Sequence, residues 1–162
     1  PVSIEGRGRF PEPGSGLWNT LVDFEVHYRY ADGVTIDYRM DVPYLRVEGE
    51  DGWIQAHWNS PGGLKASSPR ILRATLKDSD PRVPTRGDKQ DFIAAIRDRT
   101  PVMTDAEIGH RTCSLGQLGH IAIRRGRRLD WDPAAERFAD DPEADAMLTG
   151  SYREPWQPPG RP

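Results

Sequence analysis

Cysteine is almost absent from this 162-residue chain. Cys113 stands alone, so no disulfide can close within the chain and thiol usage leaves the redox compartment open. Histidine is sparse too: His27, His57, His110 and His120 never fall at metal-ligand spacing, and one cysteine does not complete a zinc motif. No apolar run is long enough to span a bilayer, and no secretory leader opens the chain. Charge of either sign is not in excess. With 22 Lys and Arg against 25 Asp and Glu, the net charge of −3 removes the electrostatic case for binding nucleic acid or an anionic membrane. A phosphate-cradling loop is also missing, because Gly14-Ser15-Gly16 lacks the third glycine and the strand–turn–helix setting of a dinucleotide fingerprint.

What the chain does have is proline, polarity and two kinds of periodicity. Fifteen prolines and a mean hydropathy of −0.72 imply long exposed connections, while the length suits one domain with a continuous core. Val2–Gly8 alternates weakly, as a short strand would. Alternation is clearest from Val22 to Val42. Val22, Phe24, Val26, Tyr28 and Tyr30, then Val34, Ile36, Tyr38, Met40 and Val42, take one face of a hairpin whose other face is polar. A two-residue turn would pair Tyr30 with Thr35 and mix the faces. A three-residue turn, Ala31-Asp32-Gly33, pairs Tyr30 with Val34, Tyr28 with Ile36 and Val26 with Tyr38, with Gly33 at positive φ. A second hairpin is predicted from Tyr44–Glu48 and Trp53–Trp58 around Gly49-Glu50-Asp51-Gly52, with Leu64–Ser67 as an edge strand.

Helical signals follow. Asp88 is placed to cap a helix in which Phe92, Ile93 and Ile96 share a face. Thr104-Asp105-Ala106-Glu107 reads as a capping box for a longer helix running to Arg125. Arg124, Arg125, Arg127 and Arg128 suit its negative end, and Gly126 suits a left-handed stop. Ile108, Leu115, Leu118 and Ala122 form its core stripe with Arg111 inside it, while Gly109, Cys113, Gly116 and His120 line an adjacent face. Each glycine inside a helix costs about 1 kcal/mol relative to alanine. Three of them, Gly119 included, therefore predict close approach by another group and burial on two sides. Leu129–Pro133, a turn, and a short helix opened by Asp141-Pro142 complete the ordered part. Sheet first and helices after it predict an α+β fold: a two-layer sandwich, an open mainly antiparallel sheet with helices packed on one face. Residues 1–156 are expected to form that domain and residues 157–162 a Pro-rich tail.

Chemistry is thinly marked. His110 and Arg111 are the candidate substrate-binding pair, an acid/base group beside an anion or hydroxyl binder. The alternative is an exposed histidine next to an arginine paired with a carboxylate. His120 reads as a packed histidine, His27 and His57 as residues of the wet strand faces, and Cys113 as a small buried apolar residue. The arginines at 124–128 could meet phosphate, although helix-dipole complementarity explains them without a ligand. Trp18, Trp53, Trp58, Trp131 and Trp156 could line a sugar site or serve as core anchors.

Five runs carry a resemblance: Asp91-Phe92-Ile93; Ala106-Glu107-Ile108-Gly109-His110-Arg111-Thr112; Leu118-Gly119-His120-Ile121-Ala122; Gly126–Pro133; and Tyr152-Arg153-Glu154-Pro155-Trp156. In this order they resemble the C-terminal part of Gfo/Idh/MocA oxidoreductases, the glucose–fructose oxidoreductase family. Tyr30–Gly33 and Glu48–Trp53 resemble the sheet of that family's second domain.

The resemblance implies an N-terminal Rossmann domain holding NAD or NADP, absent from this chain, and a C-terminal domain whose open sheet shapes the substrate pocket and forms the oligomer interface. It also implies hydride transfer at a carbinol carbon of a sugar, polyol or related compound. The family's catalytic lysine lies in a Glu-Lys-Pro motif, which does not occur here, and its second acid/base group lies upstream of the sheet. No catalytic, cofactor or metal residue is therefore expected within this chain, nor turnover by it alone. The start at Pro1 on a strand-like run, without an initiator methionine, fits the expectation of a piece of a longer protein. A targeting signal would lie in the missing part, with the cytoplasm as the default. The rival expectations are a stand-alone binding or dimerisation module without redox activity, and a carbohydrate-binding sheet that uses the tryptophans.

Overall fold

The structure, a computed structural model, describes residues 1–41, 43–57, 63–80, 87–150 and 153–156. In chain order its elements are β1 (Ser3–Arg9), β2 (Asp23–Arg29), β3 (Thr35–Arg39), β4 (Tyr44–Gly49), β5 (Gly52–His57), β6 (Lys65–Ala66), α1 (Pro69–Leu72), α2 (Asp88–Asp98), α3 (Ala106–Arg125), β7 (Leu129–Asp132), β8 (Arg137–Phe138) and α4 (Pro142–Ala146). They gather into two compact units, Pro1–Met40 with Cys113–Pro162, and Asp41–Thr112, the boundary falling inside α3. Among the described residues the strands form a five-stranded and a three-stranded sheet, every pair antiparallel, and the fold class is the expected α+β.

In the first unit the sheet runs β3-β2-β1-β7-β8. Its first hairpin has the derived register: Tyr28 faces Ile36, Val26 faces Tyr38, and the Tyr30 amide donates to the Val34 carbonyl at 2.8 Å. Gly33 sits at φ +90°, and the Asp32 carboxylate accepts from the Val34 amide at 3.1 Å, which closes the turn. The weakly alternating N-terminal run is a central strand, β1, paired with β2 and β7. Its weak pattern has a cause. Gly6 and Gly8 continue the face of buried Ile4 without side chains, and a β-carbon on Gly6 would stand 2.9 Å from Ile123 Cγ1 of α3. Helix and sheet meet closely there because side chains have been removed.

The core of this unit is made by Ile4, Val26, Tyr28, Leu118, Ile121, Ala122, Leu129, Trp131, Phe138 and Ala144. Trp131 and Phe138 meet edge to face at 5.0 Å, tying together β7 and β8, a strand pair where the sequence marks only Leu129–Pro133 and a turn. Beyond α3, Gly126 turns left-handed at φ +64°, and α4 opens as expected, with Asp141 Oδ1 accepting from the Ala144 amide at 3.0 Å and Pro142 in the first turn.

The second unit holds the sheet β4-β5-β6 with α1 and α2. The β4–β5 hairpin closes with Gly49 opposite Gly52, and β6 is the short edge strand. Gly87 occupies the cap of α2 where Asp88 was expected, and Asp88 supplies negative charge to the first turn instead. The apolar trio Phe92, Ile93 and Ile96 is exposed. The buried stripe of α2 is Asp91 with Ala95, and the carboxylate tolerates burial because the Met103 amide donates to it at 2.7 Å. At the start of α3, Asp105 displaces Thr104 as the cap: its carboxylate accepts from the Ile108 amide at 2.9 Å.

Candidate functional site

His110 and Arg111 lie in the first turns of α3, and both are exposed. Arg111 does not enter the core stripe. Its Nε donates to Glu107 Oε1 at 2.7 Å, one helical turn back. A solvated pair at this spacing contributes about 0.3–0.5 kcal/mol. Ile108 is exposed as well, so the buried stripe of α3 is confined to Leu118, Gly119, Ile121 and Ala122, with Leu115 partly buried. A helix carries its apolar spacing along its whole length, whereas burial follows only where a partner covers it. The pair thus offers water an imidazole beside a guanidinium, groups that can hold a hydroxyl or a carboxylate.

Within the first unit a cleft of about 210 Å³ opens between β2, β3 and α3. Thr20, Leu21, Phe24, Tyr38, Gly116, His120 and Ile123 line it with Val26 and Tyr28. Tyr28 is fully buried and donates its hydroxyl to the Leu115 carbonyl at 2.6 Å. Burial, with Tyr38 and Tyr30 nearby, pushes its phenol well above the ordinary range, so it stays protonated and remains a donor. Gly119 fits under this ring: a β-carbon there would stand 2.5 Å from the Tyr28 hydroxyl and 3.0 Å from a Val26 methyl. Gly109 and Gly116 are different. Nothing lies within 4 Å of a β-carbon placed on either, so of the three helix glycines only Gly119 marks a close approach. Cys113 is exposed rather than buried. The expected second buried face is therefore open along Cys113 and Gly116.

His120 is half-buried at the cleft. Arg124 Nε donates to its Nε2 at 2.7 Å, which leaves the ring proton on Nδ1. Burial first, and the Arg124 cation second, hold this imidazole below its ordinary value. Phe10 meets the ring edge-on at 5.6 Å and carries the Arg124 guanidinium 4.9 Å from its own centroid. A neutral imidazole with a defined donor, set among apolar walls, suits a small group with one apolar face.

The remaining candidates are accounted for internally. His27 Nδ1 meets Asp37 Oδ1 at 2.6 Å on the polar sheet face, and His57 Nε2 pairs with Gln55 at 2.8 Å. The arginines ending α3 find protein partners: Arg125 and Arg127 both bind the buried Asp141 carboxylate, at 3.1 and 2.6 Å, and Arg128 binds Asp130 at 3.1 Å. Of the tryptophans, Trp131 is core, Trp53 lies under Arg46 at 4.4 Å, Trp18 and Trp156 are exposed, and Trp58 lies outside the described residues. Among the described residues no group of three or more His, Cys, Asp or Glu could hold a metal ion, and no helix is long and apolar enough to cross a membrane.

Helical spacing puts Gly116 and His120 on one face, but the rest of the cleft comes from residues far away in sequence. Thr20, Leu21 and Tyr38 reach it from a connection and from a strand turned toward the helix, and local spacing carries no sign of that.

Residues 16–158 fit the Gfo/Idh/MocA C2 family model, described as "Oxidoreductase family, C-terminal alpha/beta domain". No curated protein and no solved structure matches the chain.

Proposed function

This chain belongs to the Gfo/Idh/MocA oxidoreductase family as its C-terminal α/β domain, and we propose that residues 1–156 serve as the substrate and oligomerisation domain of an NAD(P)-dependent oxidoreductase. The reaction is hydride transfer at a carbinol carbon of a sugar, polyol or related compound. The observation that carries the reading is the family match over residues 16–158.

The described residues do not fit the nicotinamide cofactor. Its pyrophosphate needs a glycine turn between a parallel strand and a helix N-terminus, and both sheets here are antiparallel throughout. The cofactor is assigned to an N-terminal Rossmann domain, the partner of this one, and the oligomer to a face of the sheet. This chain's share is to hold the substrate. Arg111 presents donors that a substrate hydroxyl or carboxylate can accept, and His110 is the group that takes up or returns a hydroxyl proton when it lies within about 3 Å of it.

Two measurements test the reading. In the intact protein, His110→Ala and Arg111→Ala should lower kcat/KM, while His27→Ala, on the polar sheet face, leaves it unchanged; equal effects at all three positions would remove the assignment. Titration of this chain alone with NADH should give no binding isotherm. Micromolar affinity would mean that the cofactor site had been misplaced.

A further inference from the structure

We propose that the cleft between β2, β3 and α3 binds a small aromatic monocarboxylate, its ring against the apolar walls and its carboxylate on the Nδ1–H of His120, backed by the Arg124 guanidinium. This goes beyond the proposed function, since it holds whatever compound the intact protein turns over.

The electrostatic case begins at the end of α3. Four arginines crowd it, and three have carboxylate partners: Arg125 and Arg127 share Asp141, and Arg128 takes Asp130. Arg124 pairs with no carboxylate among the described residues. Its guanidinium lies 4.9 Å from the centre of the Phe10 ring, and its Nε donates to His120 Nε2 at 2.7 Å. That bond fixes the imidazole's own proton on Nδ1, where no described residue accepts it. Nδ1 is not sealed off either, because no buried side-chain nitrogen or oxygen among the described residues lacks a partner. A cation donating into one side of an imidazole polarises the N–H on the other. The pair thus presents a positive charge with no carboxylate beside it through a single donor, which a carboxylate oxygen matches better than a neutral carbonyl does.

The rest of the cleft describes the body attached to that carboxylate. Leu21, Phe24, Val26 and Ile123 give it apolar walls, and Gly116 leaves room where another residue would carry a side chain. Its volume of about 210 Å³ exceeds the roughly 150 Å³ that takes up a benzene ring in an apolar cavity. One ring with a carboxylate therefore fits. Phe24 and Tyr38 meet edge to face at 5.0 Å, an arrangement that a third ring extends. Thr20 and Tyr38 add hydroxyls to the lining, neither engaged by a described residue, and both are donors for a second carboxylate oxygen. All of these walls belong to the first unit.

The test titrates the full chain with benzoate, benzamide and benzamidine, which share one shape and differ in charge, and follows the backbone amides by NMR. Benzoate should shift the Thr20, Gly116 and His120 amides saturably, with a dissociation constant of about 1 mM or below. Benzamide should bind at least about tenfold more weakly, and benzamidine not at all. Arg124→Gln keeps a donor to the imidazole and removes the charge, so it should weaken benzoate about tenfold and leave benzamide unchanged. Gly116→Leu, at an exposed helix position, fills the cleft and should abolish both. The proposal is overturned by failure of benzoate to saturate up to about 20 mM, by equal affinity for benzoate and benzamide, or by an Arg124→Gln variant that binds benzoate as tightly as the parent. Shifts gathered at Arg125 and Arg127 instead of the cleft would overturn it as well.

Discussion

Tyr28 and Gly119 are fitted to one another across the sheet–helix contact: the phenol reaches the Leu115 carbonyl at 2.6 Å only because position 119 has no β-carbon. A methyl group there would stand 2.5 Å from the Tyr28 oxygen, and the neighbouring Val26 is β-branched and stiff. Gly119→Ala should therefore destabilise the chain. Overpacking costs about 1–3 kcal/mol and helix propensity returns about 1 kcal/mol. Gly116→Ala, with open space around the new methyl, should stabilise by up to about 1 kcal/mol. Paired urea melts of the two variants decide this, and shifts of the same sign would contradict it.

Tyr28→Phe isolates the hydrogen bond from the packing. The ring and its contacts stay, while the donor to Leu115 is lost. A loss of about 0.5–1.5 kcal/mol is expected, read as a lower urea midpoint with an unchanged slope.

His120 supplies a pH dependence with a definite sign. Its imidazole is held below 6.5 by burial and by Arg124, so the unfolded chain takes up the proton more readily than the folded one. Its contribution to stability is complete above about pH 6.5 and is lost as pH falls from there through the folded value. An NMR titration should place the His120 midpoint below 6.5. His120→Gln should flatten the fall in Tm between about pH 7 and about pH 5. A midpoint above the ordinary value would refute the geometry around Arg124.

Asp141 adds a second window at lower pH. The Ala144 amide and the Arg125 and Arg127 guanidiniums hold its carboxyl below 3.8 against the opposing effect of burial. The stability it lends is present above its unfolded value near 3.8 and disappears as pH falls through the folded one. Asp141→Asn should lower Tm at neutral pH and converge on the parent protein in acid. Asp141→Ala, which also removes the cap, should be worse at every pH.

The hairpin at Asp32-Gly33 could be read from the text down to its register, because a one-residue slip would have turned every apolar side chain to the wrong face. The stop at Gly126 and the cap at Asp141-Pro142 were equally legible, each resting on backbone chemistry confined to a few neighbours. Less was visible in β1, whose glycines at 6 and 8 erase the alternation that marks a strand and make sense only once Ile123 of α3 is seen over them. His110 and Arg111 were found by residue type and spacing, and the structure adds that both are exposed, with Arg111 paired to Glu107.

Local pattern thus determined the α+β class, the hairpin register, the helix stops and the family runs, since each depends on residues within a turn or two of one another. Tertiary structure alone decided that Gly119 is packed while Gly116 is open, that one apolar helix spacing is buried at Leu118 and exposed at Ile108, and that Thr20, Tyr38 and His120 share a cleft. Periodicity names the face a residue occupies; what covers that face comes from chain far away in sequence.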